Sequence, residues 1–297
     1  MTTTSSVLAP TGSPASPDPA PGRTTPRRLP RGLVFTLPLA MVLLVTFGLP
    51  LAGIALRSVG SAGDPTTEYY RTLVSSPAYL QVLGNTFLIA AVVTLATSAL
   101  GYPLALWIAQ LTPRGRLIAM TLVVLPFWTS ILVRTYAWII ILGQRGVVNE
   151  TLLSLGLVGS PLQLIYNQLG VTIGMVHVLL PFLVLPLTAS MLSFDQRLSR
   201  AGSSLGAPPR SVFLRIYFPL TVPALAAGGI LVFILSLGFF VTPALLGGGQ
   251  VSMIATVLDT FINRLPRWEL ASALSMVLLA ASLICYAVYR RVGGIVR

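Results

Sequence analysis

Residues 199–220 read SRAGSSLGAPPRSVFLRIYFPL, a basic stretch between two long apolar runs. Gly206 is a natural helix terminator. The pair Pro208–Pro209 prevents that helix from continuing, but it suits the first turn of a new one. After the prolines, three apolar side chains recur at helical spacing and form one stripe: Val212, Phe213 and Ile216. The stretch therefore predicts a helix, a tight turn and a second helix lying flat under a membrane, a projection suited to a groove on a partner.

The composition of the whole chain explains why a membrane is expected. Of 297 residues, 55% are apolar and only 9% are charged, whereas soluble domains have about 45–50% apolar and roughly 25% charged residues. So few charged residues cannot cover the surface of a globular protein. We therefore expect that most of the chain is surrounded by lipid and not by water. The net charge of +12 comes from 19 arginines without a single lysine. We attribute it to arginines placed asymmetrically around membrane spans, not to nucleic-acid binding.

The scarcity of reactive residues excludes several kinds of chemistry. Without lysine the chain has no Walker A phosphate loop and no Schiff-base nucleophile. Its one cysteine, Cys285, allows no internal disulfide, and its one histidine, His177, allows no histidine cluster for a metal. We therefore expect no catalytic residue, no cofactor and no metal site, and the substrate-binding residues are not identified.

Six apolar stretches are long enough to cross a hydrocarbon core about 30 Å thick. They lie near residues 32–57, 82–111, 117–142, 170–192, 221–246 and 270–289. With the N-terminus inside, 13 arginines fall on the inner side and 6 on the outer side. The positive-inside rule then predicts that both termini are cytoplasmic.

The chain divides into segments around these spans. Residues 1–31 are rich in Pro, Ser, Thr, Ala and Gly, which predicts a disordered cytoplasmic tail. The first transmembrane helix (32–57) and a periplasmic segment (58–81) follow, and then a core of five helices at 82–290 and a cytoplasmic tail at 291–297. The outer segments 57–81, 143–169 and 247–269 are long enough for short helices along the membrane face. The inner segment of about 193–220 is also long, and long connections are usually functional.

This inner segment resembles the loop by which permease subunits of binding-protein-dependent ABC importers dock their ATPase subunits. The family signature is Glu-Ala-Ala, three residues, Gly, nine residues and Ile-x-Leu-Pro. Four positions match at the same spacing: Ala201, Gly206, Ile216 and Pro219. Three positions depart from it: Arg200 replaces Glu, Gly202 replaces the second Ala, and Phe218 replaces Leu.

Two further stretches resemble the spermidine/putrescine-type permeases within this family. They are LPFWTSILVRTYAW at 125–138 and LGFFVTPALLGG at 237–248. The resemblance implies an all-α membrane protein of six transmembrane helices with the type I ABC importer architecture, in a bacterial inner membrane. It also implies that a small solute, with a polyamine favoured, is delivered by a periplasmic or lipid-anchored binding protein. A second permease subunit, identical or homologous, and two ATP-binding subunits complete the expected complex, with membrane lipid around it.

The resemblance assigns ATPase docking to eight residues of the inner segment: Arg200, Ala201, Gly202, Leu205, Gly206, Ala207, Ile216 and Pro219. The alternative for this segment is a membrane-surface helix whose arginines pair with anionic lipid. For the chain as a whole, the alternative is an ion-coupled secondary transporter or channel. Such folds typically carry internal repeats and ionisable residues at mid-span, and neither is evident. A membrane-embedded enzyme would need paired acids or an activated nucleophile, which the sequence lacks.

Three polar residues within the predicted spans have two interpretations each. Arg134 is flanked by aromatic residues, which is typical of an interfacial belt with a snorkelling arginine; the alternative is a structural or gating contact within the translocation path. Asn85 and His177 are expected to form hydrogen bonds between helices, with a transport role as the alternative.

Overall fold

A computed structural model describes residues 38–61 and 64–294 of the chain, and it is helical almost throughout. Six helical segments are long and apolar enough to cross a membrane, the number that the sequence predicts. Five of them are single helices, and the third, Ile131–Ser154, combines two of the helices listed below. The predicted tail 1–31, residues 32–37 of the predicted first span and residues 295–297 lie outside the described residues. The helices are α1 Pro38–Ser58, α2 Glu68–Ser75, α3 Pro77–Gln110, α4 Pro113–Val124, α5 Ile131–Leu142, α6 Val147–Ser154, α7 Gln168–Ser193, α8 Gln196–Ser204, α9 Pro209–Leu237, α10 Val241–Leu246, α11 Ile254–Asp259 and α12 Trp268–Gly294.

The chain forms two compact units, Met1–Leu49 and Pro50–Arg297. The described part of the first unit is the N-terminal half of α1, which contains a π turn at Leu44–Gly48. The second unit contains the remaining helices and one pair of two-residue strands, β1 (Gly60–Ser61) and β2 (Asp64–Pro65), which pair antiparallel.

Three long helices, α3, α7 and α9, pack against one another and form the centre of the second unit, and α12 packs on α9. α7 is apolar around its whole circumference and is the most buried of the six candidate spans, as expected for a helix without a solvent-facing stripe. Its N-terminus is capped by Asn167, whose Oδ1 accepts a hydrogen bond from Gly170 N at 2.9 Å. Prolines begin α3, α4 and α9, where a missing N–H costs no helical hydrogen bond.

Small residues set the distance between the central helices. Leu183 of α7 lies between Gly101 of α3 and Gly228 of α9. A Cβ atom on Gly101 would lie 2.6 Å from Leu183 Cδ2, and one on Gly228 would lie 2.7 Å from Leu183 Cδ1. Apolar helices have no hydrophobic drive to associate within lipid, so close packing over small residues holds such bundles together.

The predicted limits of the third span, 117–142, are wrong, because the helix is broken within them and the third candidate span is Ile131–Ser154. α4 ends at Val124, a 3₁₀ turn covers Leu125–Trp128, and the backbone is extended at Thr129, with φ −93° and ψ 145°. Pro126 has no N–H to continue the helix. The carbonyl oxygen of Pro126 accepts the Thr129 N–H at 3.2 Å and the Thr129 hydroxyl at 2.7 Å, which stabilises the break locally.

The predicted limits of the fifth span, 221–246, also need correction. α9 begins at Pro209 and ends at Leu237, so the predicted second helix of the inner segment is the first part of a spanning helix and not a separate helix lying flat. Pro219 would interrupt a regular helix, since it cannot donate to the carbonyl of Arg215. A π turn at Phe213–Tyr217, with the Phe218 N–H bonded to Phe213 O, precedes Pro219 and lets the helix pass without a break.

Each segment that is predicted to lie on the outer side contains a short helix, although α6 also belongs to the third candidate span, Ile131–Ser154. α2 lies within 57–81, α6 within 143–169 and α11 within 247–269. The segment after α6 is held by Asn149, a fully buried side chain. Its amide nitrogen donates to Gly143 O and Leu162 O at 3.0 and 2.9 Å, and its oxygen accepts from Leu162 N at 2.8 Å.

Candidate functional site

Residues Gln196–Tyr217 form a helical hairpin at the end of α7, which we call the Gly206 hairpin. Its first arm, α8, begins after Asp195, whose carboxylate accepts a hydrogen bond from Arg197 N at 2.9 Å. A short acidic side chain at this position satisfies a free N–H and complements the helix dipole. The predicted helix, tight turn and helix are therefore confirmed, although the second arm runs on into α9.

The turn at Gly206 is a Schellman motif. The N–H of Gly206 bonds to Ser203 O at 3.0 Å, and the N–H of Ala207 bonds to Gly202 O at 3.2 Å. Gly206 has φ +81°, a conformation that glycine adopts readily and that strains any residue with a Cβ. Nothing lies within 4 Å of the position that a Cβ on Gly206 would occupy, so backbone conformation alone explains the glycine. Pro208, with ψ 151°, then leads into α9.

The two arms of the hairpin touch at Gly202. A Cβ atom on Gly202 would lie 2.8 Å from Ile216 Cδ1 and 3.4 Å from Val212 Cγ2. Glycine at this position lets α8 approach α9 more closely than any other residue would. Two of the predicted docking residues, Gly202 and Ile216, are thus brought together inside the hairpin, where they fix the angle between its arms.

The remaining predicted residues divide between the tip of the hairpin and its base. Leu205 is 88% exposed at the tip, which is unusual for a leucine. Ala201 and Gly206 are exposed beside it, and Ala207 is half-buried just after the turn. Pro219 lies on α9 beyond the π turn and takes no part in the tip. The side chain of Arg200 lies outside the described part of the chain.

The exposed charges around the tip are mostly basic. Arg197, Arg210 and Arg215 are exposed, and the only acidic side chain of the described hairpin region is Asp195. The tip therefore presents one large, exposed apolar side chain, and exposed arginines lie along the two arms behind it. This arrangement suits a groove with an apolar floor and an acidic border.

Aromatic contacts, which the sequence analysis missed, anchor the hairpin to the central helices. Tyr217 stacks on Phe213 at 5.9 Å between ring centroids and meets Phe194, at the end of α7, edge to face at 5.4 Å. Phe218 meets Tyr102 of α3 edge to face at 5.5 Å, and the Tyr102 hydroxyl is 2.9 Å from that of Thr221. The four-residue spacing of Phe213 and Tyr217 is the sequence signal that indicates such a cluster.

A cleft of about 580 Å³ lies between the hairpin and the neighbouring ends of α3, α4 and α7. Arg116 forms part of its wall. The Nη2 atom of Arg116 donates to Ala109 O and Leu111 O at 3.0 and 3.1 Å, which satisfies carbonyl groups at the end of α3. This arginine therefore holds the α3–α4 turn closed beside the hairpin.

The polar residues of the predicted spans are placed as follows. Trp138 Nε1 donates to His177 Nδ1 at 3.1 Å, so the predicted hydrogen bond between helices is confirmed for His177. Asn85 forms no hydrogen bond to another helix within the described residues. The neighbouring Thr86 does, since its Oγ1 accepts from Ile254 N at 2.9 Å.

Comparison with known proteins identifies the family, although no family model matches the chain. The chain is 35% identical to the spermidine/putrescine transport system permease protein PotB of Escherichia coli over 226 residues, which are 76% of this chain and 82% of that protein. It is 34% identical to PotB of Haemophilus influenzae over the same length, or 79% of that protein.

Solved structures agree on the fold. A bacterial alginate ABC transporter, crystallised in complex with an alginate pentasaccharide-bound periplasmic protein, superposes with a TM-score of 0.72 at 20% identity over 88% of this chain and 94% of that one. The family expected from the sequence is confirmed, which decides against the secondary transporter, the channel and the enzyme. The chain therefore belongs, with PotB, to the inner-membrane permease subunits of ABC importers, which leave ATP hydrolysis to separate subunits.

Proposed function

We propose that the chain forms half of the translocation pathway for a small polyamine-like solute, which a binding protein delivers and two ATPase subunits drive across the membrane. The named solutes of its PotB relatives support the polyamine class. A cationic solute calls for carboxylates and aromatic faces, and the six candidate spans offer few acids away from their ends. We infer that the binding protein makes most of the selection.

The single observation that carries the coupling mechanism is the exposed apolar tip of the Gly206 hairpin. Leu205 exposes 88% of its surface on a turn fixed by two Schellman hydrogen bonds. Full burial of a leucine side chain contributes about 1.5–3 kcal/mol. We therefore expect Leu205 to insert into an apolar pocket of an ATPase subunit, while the arginines around it pair with acidic groups at the rim.

The contacts of the hairpin offer a route from the ATPase to the pathway. The second arm is continuous with α9, so a rotation of the tip moves a spanning helix. Phe218 contacts Tyr102, and Tyr217 contacts Phe194, which couples the same movement to α3 and α7. ATP binding would draw the two ATPase subunits together and open the pathway to the outside, and hydrolysis would reset it.

The break between α4 and α5 supports a pathway shared with a second permease subunit. Lipid does not tolerate exposed non-helical backbone, which occurs at membrane depth only against protein or water. Trp128, the last residue of the 3₁₀ turn in this break, is 87% exposed. We infer that the break faces the pathway or the second subunit, because six spans leave little room for a complete pathway in one chain.

The proposed sidedness places the Gly206 hairpin and both termini in the cytoplasm. It rests on the 13 inner and 6 outer arginines of the sequence. The segment divisions follow from it: a cytoplasmic tail at 1–31, a periplasmic segment at 58–81, and a core from 82 to 290 that carries the docking loop.

Uptake into proteoliposomes tests this proposal. The chain is reconstituted with the ATPase, second permease and binding protein of its transporter, and the uptake of labelled putrescine and spermidine is measured. We expect uptake that requires both ATP and the binding protein and is insensitive to ionophores that collapse ion gradients. ATP-dependent uptake that polyamines fail to compete for would refute the solute class alone. Uptake driven by an ion gradient without ATP would refute the mechanism.

A further inference from the structure

Arg134 of α5 carries a charge that nothing in the described part of the chain compensates. Its Nε and Nη1 atoms are both buried, and neither has a hydrogen-bond partner among the described residues. Buried N–H groups that lack an acceptor are unfavourable. Arginine is moreover the side chain best suited to hold a carboxylate or phosphonate through two parallel hydrogen bonds.

A second donor lies beside this guanidinium. Trp138 is one helical turn beyond Arg134 and shares its face of α5, and its indole N–H donates to His177 Nδ1 at 3.1 Å. The indole nitrogen is a donor only, so Nδ1 is the unprotonated nitrogen and Nε2 carries the proton of the neutral ring. α5 packs against α7, and this hydrogen bond joins the two helices one turn from Arg134. The pair therefore presents N–H groups from two helices and no acceptor.

The described acidic side chains do not supply the missing acceptor. Glu68, Glu150, Asp195, Asp259 and Glu269 lie in connecting segments, in short helices or in the first turn of a long one. None of them forms a hydrogen bond with Arg134. The described chain therefore leaves the buried Nε and Nη1 of Arg134 without an acceptor.

We propose that Arg134 and His177 form an oxyanion-binding site, which takes a carboxylate or phosphonate group. The site goes beyond the proposed function, because it does not depend on which solute is carried. The oxyanion comes either from a small molecule or from an acidic side chain of the second permease subunit. In both cases its charge offsets that of Arg134, which would otherwise repel a cationic solute nearby.

The single histidine of the chain gives a direct test, because ¹⁵N-labelled histidine reports on His177 alone. The full chain in phosphatidylcholine nanodiscs is titrated with methylphosphonate, with sodium chloride at matched ionic strength as the reference. We expect a saturable shift of the Nε2 resonance. Arg134→Gln should weaken the apparent affinity at least about tenfold, the order expected for the loss of a charge-assisted hydrogen bond.

Two controls separate binding from misfolding and from general charge effects. Arg145→Gln removes an exposed arginine shortly after α5 and should leave the titration unchanged. In anion-free Arg134→Gln the Nδ1 resonance should keep the value of a hydrogen-bond acceptor nitrogen, since the hydrogen bond from Trp138 to His177 does not involve Arg134.

The same signal distinguishes the two sources of the oxyanion. If the second permease subunit supplies a carboxylate, the assembled pair gives an Nε2 shift without added anion. That shift is lost in Arg134→Gln, and methylphosphonate adds nothing further. If methylphosphonate shifts the Nε2 resonance in the isolated chain and also in the assembled pair, the site binds a small molecule. The proposal is overturned if neither sample shows an Arg134-dependent shift, or if Arg134→Gln binds methylphosphonate as tightly as the wild type.

Discussion

Substitution of Gly206 by valine should uncouple ATP hydrolysis from transport while the spanning helices remain folded. Gly206 has φ +81°, and a Cβ at this position would meet no other atom within 4 Å. The substitution therefore introduces backbone strain without a steric clash. A residue held in this region costs about 1–3 kcal/mol, most for a β-branched side chain.

The chain can relieve this strain by abandoning the Schellman turn, which would re-aim Leu205 and α8. A strain of about 1–3 kcal/mol is as large as a typical coupling free energy between two sites, which changes a binding affinity about 5–150-fold. We therefore expect Gly206→Val to lower ATP-dependent uptake within this range. It should also reduce the amount of ATPase that co-purifies with the permease, without reducing membrane insertion.

Gly156 provides a matched control on another segment of the chain. It has φ +67°, open space around its Cβ position, and the same pair of hydrogen bonds at the end of α6: Gly156 N to Leu153 O and Leu157 N to Leu152 O, both at 3.0 Å. Gly156→Val introduces the same strain but should leave ATPase co-purification unchanged. Wild-type uptake and ATPase retention in Gly206→Val would refute the docking role and favour the lipid-surface alternative.

Three further predictions concern the packing and the sidedness of the chain. Gly202→Val should force α8 away from Ile216 and lower ATPase co-purification, and the added substitution Ile216→Ala should restore part of it, because overpacking of this kind costs about 1–3 kcal/mol. Leu183→Ala should leave a cavity among α3, α7 and α9 and lower the free energy of unfolding by about 2–5 kcal/mol, as measured by thermal unfolding in detergent. Adding Gly228→Leu should refill part of that cavity and restore part of the stability. An unchanged stability of both variants would contradict the packing described. Reporter fusions after residue 297 and within residues 247–253 should report opposite sides of the membrane, and the same side for both would contradict the six-span topology.

Much of the fold was accessible from the sequence because lipid simplifies the problem. Uninterrupted apolar runs of about 20 residues leave the backbone no alternative to a helix within the bilayer, so six spans were predicted and six candidates are found. The turn at Gly206 was equally accessible, since the run Gly-Ala-Pro-Pro at 206–209 allows few backbone conformations.

The details that sequence reasoning missed are those that depend on contacts between distant residues. Pro126 lies at the break between α4 and α5, whereas Pro219 follows a π turn in an unbroken α9, and Pro103, Pro181 and Pro186 lie within helices that continue. A proline in the sequence therefore does not by itself locate a break. Similarly, the glycine at position 202 is a departure from the family signature in the sequence, but in the structure it provides the contact with Ile216. Asn85 was expected to link helices and Thr86 does so instead, because a shift of one residue on a helix changes the neighbour that a side chain faces.

The central claim, that the tip of the Gly206 hairpin docks the ATPase, is tested most directly by site-directed cross-linking. Replacement of Cys285 by alanine gives a cysteine-free chain, into which Leu205→Cys or the control Leu155→Cys is introduced; both leucines are largely exposed, at 88% and 66%. In membranes containing the assembled transporter, a short bifunctional reagent should link position 205 to the ATPase subunit and should not link position 155 to it. A transporter that retains ATP-dependent uptake but gives no cross-link from position 205, or equal cross-links from both positions, would contradict the account.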